Sequence, residues 1–199
     1  REEYSEKVPY SDFKVFHRLF RSIPEGTQIQ LANSATVRYA QLFPFPASNP
    51  VFCNRGTSGI EGSTSPAVGA AWNYAGPTVL ISGDLSFLYD ANGLWNRALR
   101  PDFRVIVVNN TGGGIFRILP GFSENLTFQT YFETVHSHSL ESLCRHHGIN
   151  YHLATAEEEL DQQLETFFTG TAGPALLEVQ TPRELNNKIL LGYFDYLTW

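Results

Sequence analysis

The fold is decided by residues 79–119, which read VLISGDLSFLYDANGLWNRALRPDFRVIVVNNTGGGIFRIL. An apolar run ends at Gly83-Asp84, apolar residues with helical spacing follow, and a second apolar run ends at Asn109-Asn110. Two short apolar runs around a helical segment predict a β-α-β unit with parallel strands. Parallel strands end at the same edge of a sheet, where open α/β sheets bind ligands. We therefore expect Asp84 and Asn110 to lie close together.

The rest of the chain continues this alternation of strands and helices. Strands are predicted at residues 28–31, 51–54, 79–81, 105–108, 151–154 and 175–179. Helices are predicted at 12–21, 64–74, 139–147 and 156–168, from Pro182 onward, and between the central strands through Leu88, Leu94, Trp95 and Leu99. This pattern predicts an α/β protein, a three-layer α/β/α sandwich with a mainly parallel sheet. We expect residues 1–10 to be a polar linker, 11–199 to be one domain, and 120–133 to be a flexible loop over the site.

The residues at the two central strand ends have the chemistry of a magnesium site. Mg²⁺ prefers oxygen ligands in octahedral geometry and is usually shared with substrate phosphates. Asp84 offers a carboxylate oxygen and Asn110 a neutral amide oxygen, which avoids crowding negative charge around a diphosphate. A helix that starts at Leu85-Ser86 would point N–H groups at phosphates, and glycines 112–114 allow close backbone approach. The alternative that needs no ligand is an Asp that caps a helix and an Asn pair in a turn.

Composition narrows the class of protein. The chain has 199 residues, of which 42% are hydrophobic and 17% charged, as is typical of one globular domain. A formal net charge of −6 argues against a general nucleic-acid surface, and no apolar stretch approaches the roughly 20 residues of a membrane span. Cys53 and Cys144 lack metal or redox spacing, so we interpret them as reduced thiols of a cytoplasmic protein. Because the sequence contains no methionine, we expect it to be a fragment.

Gly83-Asp84 followed by Asn109-Asn110 resembles the thiamine diphosphate and Mg²⁺ signature of thiamine-dependent enzymes. The resemblance implies metal ligands at Asp84, Asn110 and the carbonyl of Gly112, with Mg²⁺ or Mn²⁺ as the ion. The signature usually has glycine where this chain has Leu85, which is a departure from the pattern.

Three further segments resemble one branch of these enzymes, the SEPHCHC (2-succinyl-5-enolpyruvyl-6-hydroxy-3-cyclohexene-1-carboxylate) synthase family of menaquinone biosynthesis. They are residues 33–38 (NSATVR), 54–62 (NRGTSGIEG) and 109–120 (NNTGGGIFRILP), in the family's order. The similarity runs from about Ser11 onward and covers only the family's C-terminal, diphosphate-binding domain. It implies a thiamine diphosphate-binding fold in a multidomain, homo-oligomeric cytoplasmic transferase. That enzyme decarboxylates 2-oxoglutarate and adds the succinyl carbanion equivalent to isochorismate.

The resemblance also implies roles for individual residues. The bulky side chain of Ile60 would support a bent conformation of the cofactor, and Arg38 and Arg55 would hold substrate carboxylates by paired hydrogen bonds. The implied cofactor-binding residues are Ile60, Gly83, Asp84, Leu85, Ser86, Asn110, Gly112, Gly113 and Ile115. The implied substrate-binding residues are Ser34, Arg38, Arg55, Ile115, Phe116 and Leu119, of which the last three are equally compatible with a loop anchored in the core.

Nothing in the chain matches the catalytic glutamate that activates thiamine diphosphate in this family. The glutamate belongs to the N-terminal pyrimidine-binding domain, which the partner subunit contributes. We therefore expect half of an active site here and no activity from the isolated chain.

Several alternatives use the same residues. Another thiamine diphosphate enzyme, of the 2-oxoacid decarboxylase or acetolactate synthase type, would keep Asp84 and Asn110 without needing the two arginines. A noncatalytic binding module is a further hypothesis, whereas a dinucleotide-binding domain is disfavoured because no G-x-G-x-x-G follows the first strand. Asp90 is expected to be solvated or to cap a helix. The histidines lack ligand spacing and are predicted to lie on the surface, at His136, His138, His146 and His147.

Overall fold

The computed structural model describes residues 1–121, 123–170 and 172–198. Within these residues six strands form one sheet, namely β1 (Gln28–Leu31), β2 (Val51–Cys53), β3 (Thr78–Gly83), β4 (Phe103–Asn109), β5 (Asn150–Ala154) and β6 (Ala175–Gln180). The strand order is β2-β1-β3-β4-β6-β5, and every neighbouring pair is parallel. The predicted mainly parallel sheet is therefore confirmed.

Helices cover both faces of this sheet. The described helices are α1 (Glu2–Lys7), α2 (Asp12–Ser22), α3 (Ala35–Ala40), α4 (Thr64–Trp72), α5 (Asp84–Tyr89), α6 (Glu141–His147), α7 (Glu157–Phe167) and α8 (Asn186–Leu197). The layer on one face contains α1, α2, α3, α7 and α8, and the layer on the other contains α4, α5 and α6. Val79 and Ile81 of β3 face the first layer, while Leu80 between them faces the second. The result is the predicted three-layer sandwich.

The two central strands are apolar along nearly their whole length because helices cover both of their faces. All seven residues of β4 are buried. Its one charged residue, Arg104, donates hydrogen bonds to the carbonyl oxygens of Pro101, Phe167 and Gly173. The guanidinium is thus satisfied by backbone at the end of the sheet opposite to Asp84.

The crossover between β3 and β4 is not the single helix we predicted. Helix α5 ends at Tyr89, a 3₁₀ turn covers Ala91–Leu94, and Trp95 is 76% exposed, although the prediction placed it on the apolar face. Directly after α5, the carboxylate of Asp90 accepts hydrogen bonds from the N–H and the hydroxyl of Ser65 at the start of α4. Asp90 therefore caps a neighbouring helix, which is one of the two roles expected for it.

The N-terminal segment also differs from the polar linker that we expected, because it contains α1. The Tyr4 hydroxyl donates to the carbonyl of Ile189 at 2.7 Å, and its ring lies 5.2 Å from the ring of Phe13. Tyr4 thus helps to hold this segment against α2 and α8. Where a domain boundary falls in the chain stays a prediction.

Two further differences concern helices. Helix α3 was not predicted, because six residues are too few to show an apolar repeat. Helix α8 begins at Asn186 rather than Pro182, since residues 182–185 form a turn from which Arg183 pairs with Glu133. The other predicted strands and helices end within two residues of their predicted bounds. None of the helices in the described part of the chain is both long and apolar enough to cross a membrane.

In the segment predicted to be a flexible loop, Phe122 lies outside the described residues. The described part contains a π-helical turn at Phe128–Phe132, with Phe128 buried. The flexibility of this segment stays a prediction.

Docking of α1 is testable by removing one hydroxyl. We expect Tyr4→Phe to lower the free energy of unfolding by about 1 kcal/mol, because the hydrogen bond from the Tyr4 hydroxyl to the Ile189 carbonyl is lost. Lys7→Gln is the control, since Lys7 and Glu3 form a pair whose side chains are 65% exposed and should contribute almost nothing. Urea unfolding measures both variants. Equal stability of the two variants would mean that the segment behaves as a linker.

Candidate functional site

The carboxyl ends of the central strands border a cavity of about 240 Å³. Gly83 at the end of β3 pairs with Val108 of β4, so Asp84 and Asn110 follow the ends of adjacent strands. Every residue predicted to bind cofactor lines this cavity, and so do three of the six predicted substrate residues, one of which was predicted for both roles. The predicted residues that line it are Ser34, Ile60, Gly83, Asp84, Leu85, Ser86, Asn110, Gly112, Gly113, Ile115 and Phe116.

The carboxylate of Asp84 is buried and firmly held. Its Oδ1 accepts a hydrogen bond from the backbone N–H of Leu85 at 2.7 Å, and its Oδ2 accepts one from the N–H of Gly112 at 2.8 Å. The Nε2 atom of His136 lies 3.0 Å from the same Oδ2. A carboxylate has about four lone-pair sites, so these three contacts orient Asp84 and leave one site free for a ligand.

The amide of Asn110 is only half satisfied. Its Nδ2 donates to Oδ2 of Asp12 at 2.9 Å, whereas its Oδ1 is buried and has no hydrogen-bond partner among the described residues. Buried side-chain acceptors nearly always have a partner. The unpaired oxygen is therefore the strongest single indication that something binds here.

Asp12, which the sequence did not single out, lines the same cavity. Its side chain is almost completely buried, and that burial, together with the charge of Asp84, raises the pKa of Asp12 to about 6. Hydrogen bonds from Thr181 and Asn110 act in the opposite direction by stabilising the charged form. Two carboxylates thus share a space in which no lysine or arginine is among the described lining residues.

This arrangement fits a divalent cation. Mg²⁺ takes oxygen ligands, and the cavity offers carboxylate oxygens and an unpaired amide oxygen. The carbonyl of Gly112 accepts from the N–H of Gly114 at 3.0 Å, and its second lone pair could serve a cation. Across the described residues, no group of three or more His, Cys, Asp or Glu side chains is arranged to hold a metal. Neutral oxygens would therefore have to complete the coordination.

The glycine turn beside Asn110 is held in a strained conformation. Thr111 has φ of 64°, in the left-handed region that β-branched residues avoid, at a cost of about 1–3 kcal/mol. Its N–H donates to Oδ1 of Asn109, whose Nδ2 in turn donates to the buried carboxylate of Glu178 at 2.7 Å. At Gly112 a Cβ would lie 2.7 Å from the carbonyl oxygen of Glu133, so only glycine fits. In this conformation the N–H of Gly112 contacts the carboxylate of Asp84.

Ile60 reaches the cavity because two polar side chains hold its loop. Asn33 donates from Nδ2 to the carbonyls of Asn54 and Gly59 at 2.6 and 2.5 Å. The hydroxyl of Ser86 donates to the carbonyl of Ile60 at 2.5 Å. The hydroxyl of Ser86 is thus occupied, which leaves the backbone of this turn to face a ligand.

The remaining predicted substrate residues lie outside the main cavity. Arg38 and Arg55 are exposed and both bond to its rim, Arg38 to the carbonyl of Ser34 at 2.8 Å and Arg55 to Oδ1 of Asn33 at 3.3 Å. Leu119 is 50% exposed and lines a neighbouring groove. Phe116 lines both spaces and so connects them.

His136 is not the surface residue that we predicted. Its side chain is 7% exposed, and its Nδ1 accepts from the N–H of His138 at 3.1 Å. A neutral ring with this acceptor carries its proton on Nε2, where it donates to Asp84. The sequence gives no signal for this contact, because 52 positions separate the two residues. His138 and His146 are exposed, in agreement with the prediction.

Glu133 forms buried ion pairs behind the glycine turn. Its side chain is fully buried and pairs with the guanidinium groups of Arg117 and Arg183. Its backbone carbonyl accepts from the N–H of Gly113 at 2.6 Å. The hydrogen bonds with Glu133 raise the pKa of Arg117. Glu133 thus ties residues 114–133 to the turn that faces the cavity.

Most of the chain is similar to one known protein family. Residues 33–179 match the model of a family described as thiamine pyrophosphate enzyme, C-terminal TPP binding domain. The matched range begins at the rim residue Asn33 and ends in β6, so it includes nearly all of the sheet.

Curated relatives are similar along almost the entire chain. A protein of Flavobacterium johnsoniae is 48% identical over 198 residues, which is 100% of this chain and 36% of the relative. Relatives from Flavobacterium psychrophilum and Christiangramia forsetii are 48% and 44% identical over 98% of the chain, which is 35% and 34% of their lengths. All three are named 2-succinyl-5-enolpyruvyl-6-hydroxy-3-cyclohexene-1-carboxylate synthase. The chain therefore spans about a third of the length of these relatives.

The buried ion pair of Glu133 with Arg117 can be tested by its contribution to stability. We expect Glu133→Gln to lower the free energy of unfolding by about 3–5 kcal/mol, because the buried guanidinium of Arg117 loses its counter-charge. Glu124→Gln removes another carboxylate bonded to Arg117, but one that is 44% exposed, so it should cost less than about 1 kcal/mol. Chemical unfolding measures both variants, and an equal loss would show that burial of the pair does not matter.

Proposed function

The chain belongs to the thiamine pyrophosphate enzymes as a C-terminal TPP-binding domain, and from this premise we propose that it binds the diphosphate of thiamine diphosphate through a divalent cation. The cation, Mg²⁺ or Mn²⁺, is held by the carboxylate of Asp84, the amide oxygen of Asn110 and the carbonyl of Gly112. The observation that carries this proposal is the buried Oδ1 of Asn110, which lacks a partner among the described residues. A buried acceptor left unpaired costs about 1–3 kcal/mol, and a bound cation removes that cost.

The rest of the cavity suits the organic part of the cofactor. Ile60, Ile115 and Phe116 give it an apolar wall, and in our proposal Ile60 supports the bent conformation of the cofactor. The backbone at Gly83, Leu85, Ser86 and Gly113 faces the diphosphate. When bound, thiamine diphosphate supplies an electron sink for breaking and forming carbon–carbon bonds.

We further propose that the full-length protein is a SEPHCHC synthase of menaquinone biosynthesis. Support comes from the 44–48% identity to three relatives that carry this name. In this proposal a cytoplasmic homo-oligomer converts 2-oxoglutarate and isochorismate, with release of carbon dioxide and transfer of the succinyl unit. The catalytic glutamate comes from the pyrimidine-binding domain of the partner subunit, so the isolated chain is inactive.

Two arginines are proposed to recognise the substrate carboxylates. Arg38 and Arg55 are both exposed at the rim of the cavity. Arg38 donates one hydrogen bond to the carbonyl of Ser34, and Arg55 donates one to Oδ1 of Asn33. A guanidinium has five N–H donors in a fork, so both retain donors for a carboxylate. Ser34, Ile115, Phe116 and Leu119 complete this substrate region in the proposal.

Removal of the proposed metal carboxylate tests the cofactor site. In the full-length protein, Asp84→Ala should weaken Mg²⁺-dependent binding of thiamine diphosphate by at least about 100-fold. Loss of a residue that only orients a metal ligand already lowers metal affinity by about 10–100-fold. Calorimetry with and without Mg²⁺ measures this effect. Asp195→Ala on the exposed side of α8 is the matched control and should bind normally. Unchanged affinity in Asp84→Ala would refute the metal assignment.

Removal of the rim arginines tests the substrate. Arg38→Ala and Arg55→Ala should each lower kcat/KM for isochorismate by about 10–100-fold, because a charge-assisted hydrogen bond contributes about 1.5–3 kcal/mol. Arg145→Ala is the control, since its side chain is 77% exposed and pairs only with Glu141 on α6 among the described ion pairs. Normal isochorismate turnover in both rim variants would refute this role of the arginines, whereas no isochorismate turnover by the wild type would favour a thiamine enzyme of the 2-oxoacid decarboxylase or acetolactate synthase type.

A further inference from the structure

Asp12 contacts a candidate metal ligand and has no role in the function proposed above. It is the first residue of α2, and its side chain is almost completely buried. Its Oδ1 accepts from the hydroxyl of Thr181 at 2.5 Å, its Oδ2 accepts from Nδ2 of Asn110 at 2.9 Å, and its backbone N–H donates to Oδ1 of Asn186 at 2.8 Å. Contacts with three separate parts of the chain therefore fix Asp12, two of them through its carboxylate.

The amide that Asp12 contacts has two chemically different ends. A cation can bind the Oδ1 end of Asn110, whereas the Nδ2 end carries two protons and would repel it. A half-turn of the amide exchanges these ends with little change in shape. Within the described residues, the bond from Nδ2 to Asp12 is the one side-chain hydrogen bond of Asn110, because Oδ1 has no partner.

An ionised carboxylate can only accept hydrogen bonds. If the Asn110 amide were reversed, Oδ1 would lie against Oδ2 of Asp12 with no proton between two acceptors. The observed orientation avoids this repulsion and leaves Oδ1 pointing away from Asp12. The position of Asp12 thus decides which end of the amide the cavity receives.

We propose that Asp12 is a positioning residue that fixes the orientation of the Asn110 amide and thereby presents Oδ1 to the cation. The inference rests on the proposed function, because it presupposes a cation between Asp84 and Asn110. Asp12 also joins α2 to the segment after β6 through Thr181, so a loss of stability alone would not identify this role. The direction of the hydrogen bond does identify it.

Reversal of that direction is the test. In the full-length protein with thiamine diphosphate, Mn²⁺ binding is measured by electron paramagnetic resonance for wild type, D12N and D12N/N110D. In D12N the new amide can donate to Oδ1 of Asn110 and stabilise the reversed orientation, so Mn²⁺ affinity should fall by about 10–100-fold. In D12N/N110D the bond runs from position 12 to a carboxylate at position 110, and an oxygen faces the ion with the total charge unchanged. Mn²⁺ affinity should then recover.

Two results for Mn²⁺ affinity would contradict the proposed role of Asp12. Wild-type Mn²⁺ affinity in D12N would overturn the inference, and so would a loss in D12N that the folded double variant does not recover. D84A distinguishes failure of the proposed metal site from failure of the role of Asp12. If D84A binds Mn²⁺ normally, the metal site and this inference are both wrong, whereas weak binding in D84A with normal binding in D12N refutes only the role of Asp12.

Thermal unfolding of every variant checks the fold. Should D12N not fold, N110D is compared with D12N/N110D instead. In N110D the two carboxylates in contact share one proton, which weakens the carboxylate at position 110 as a ligand, so the double variant should bind Mn²⁺ more tightly. Equal affinity of these two variants would overturn the inference.

Discussion

The parallel alignment of β3 and β4 is the constraint on which the site depends. It places Gly83 opposite Val108, so the residues that follow both strands emerge at one edge of the sheet. The chain between them makes only a short helix and a turn before it returns, and Asp90, which lies between the two, is held at the start of α4. The result is a carboxylate and an amide brought together by backbone geometry rather than by contact between neighbouring residues in sequence.

Buried polar groups then set the orientation of each side chain at this edge. Asp84 is held by the N–H of Gly112 and by His136, Asn110 by Asp12, and Asn109 by Glu178. Such networks stabilise one arrangement only when every member is satisfied. The unpaired oxygen of Asn110 is therefore conspicuous, since the side chains of Asp84, Asp12 and Asn109 beside it are paired. The cation that we propose accounts for both this oxygen and the two carboxylates, which share a cavity that has no lysine or arginine among its described lining residues.

The sequence predicted the fold class and many of the residues that line the cavity, because both depend on strand ends and short local motifs. It did not predict Asp12 or His136, which reach Asn110 and Asp84 across 98 and 52 positions of sequence. Their contacts arise from packing of α2 and of the segment before α6, and no local pattern encodes such packing. The crossover helix was predicted too long because apolar residues at a helical spacing say nothing about a carboxylate that caps another helix. Leu119 was predicted for the substrate region from its motif, and its place in a neighbouring groove depends on the path of the loop after Ile118.

The most direct measurement for this account is anomalous diffraction from Mn²⁺ in crystals of the full-length protein with thiamine diphosphate. We predict a peak within about 2.5 Å of a carboxylate oxygen of Asp84 and of Oδ1 of Asn110, with Nδ2 of Asn110 still bonded to Asp12. A peak that lies elsewhere, or an Asn110 amide that turns Nδ2 toward the ion, would contradict the account.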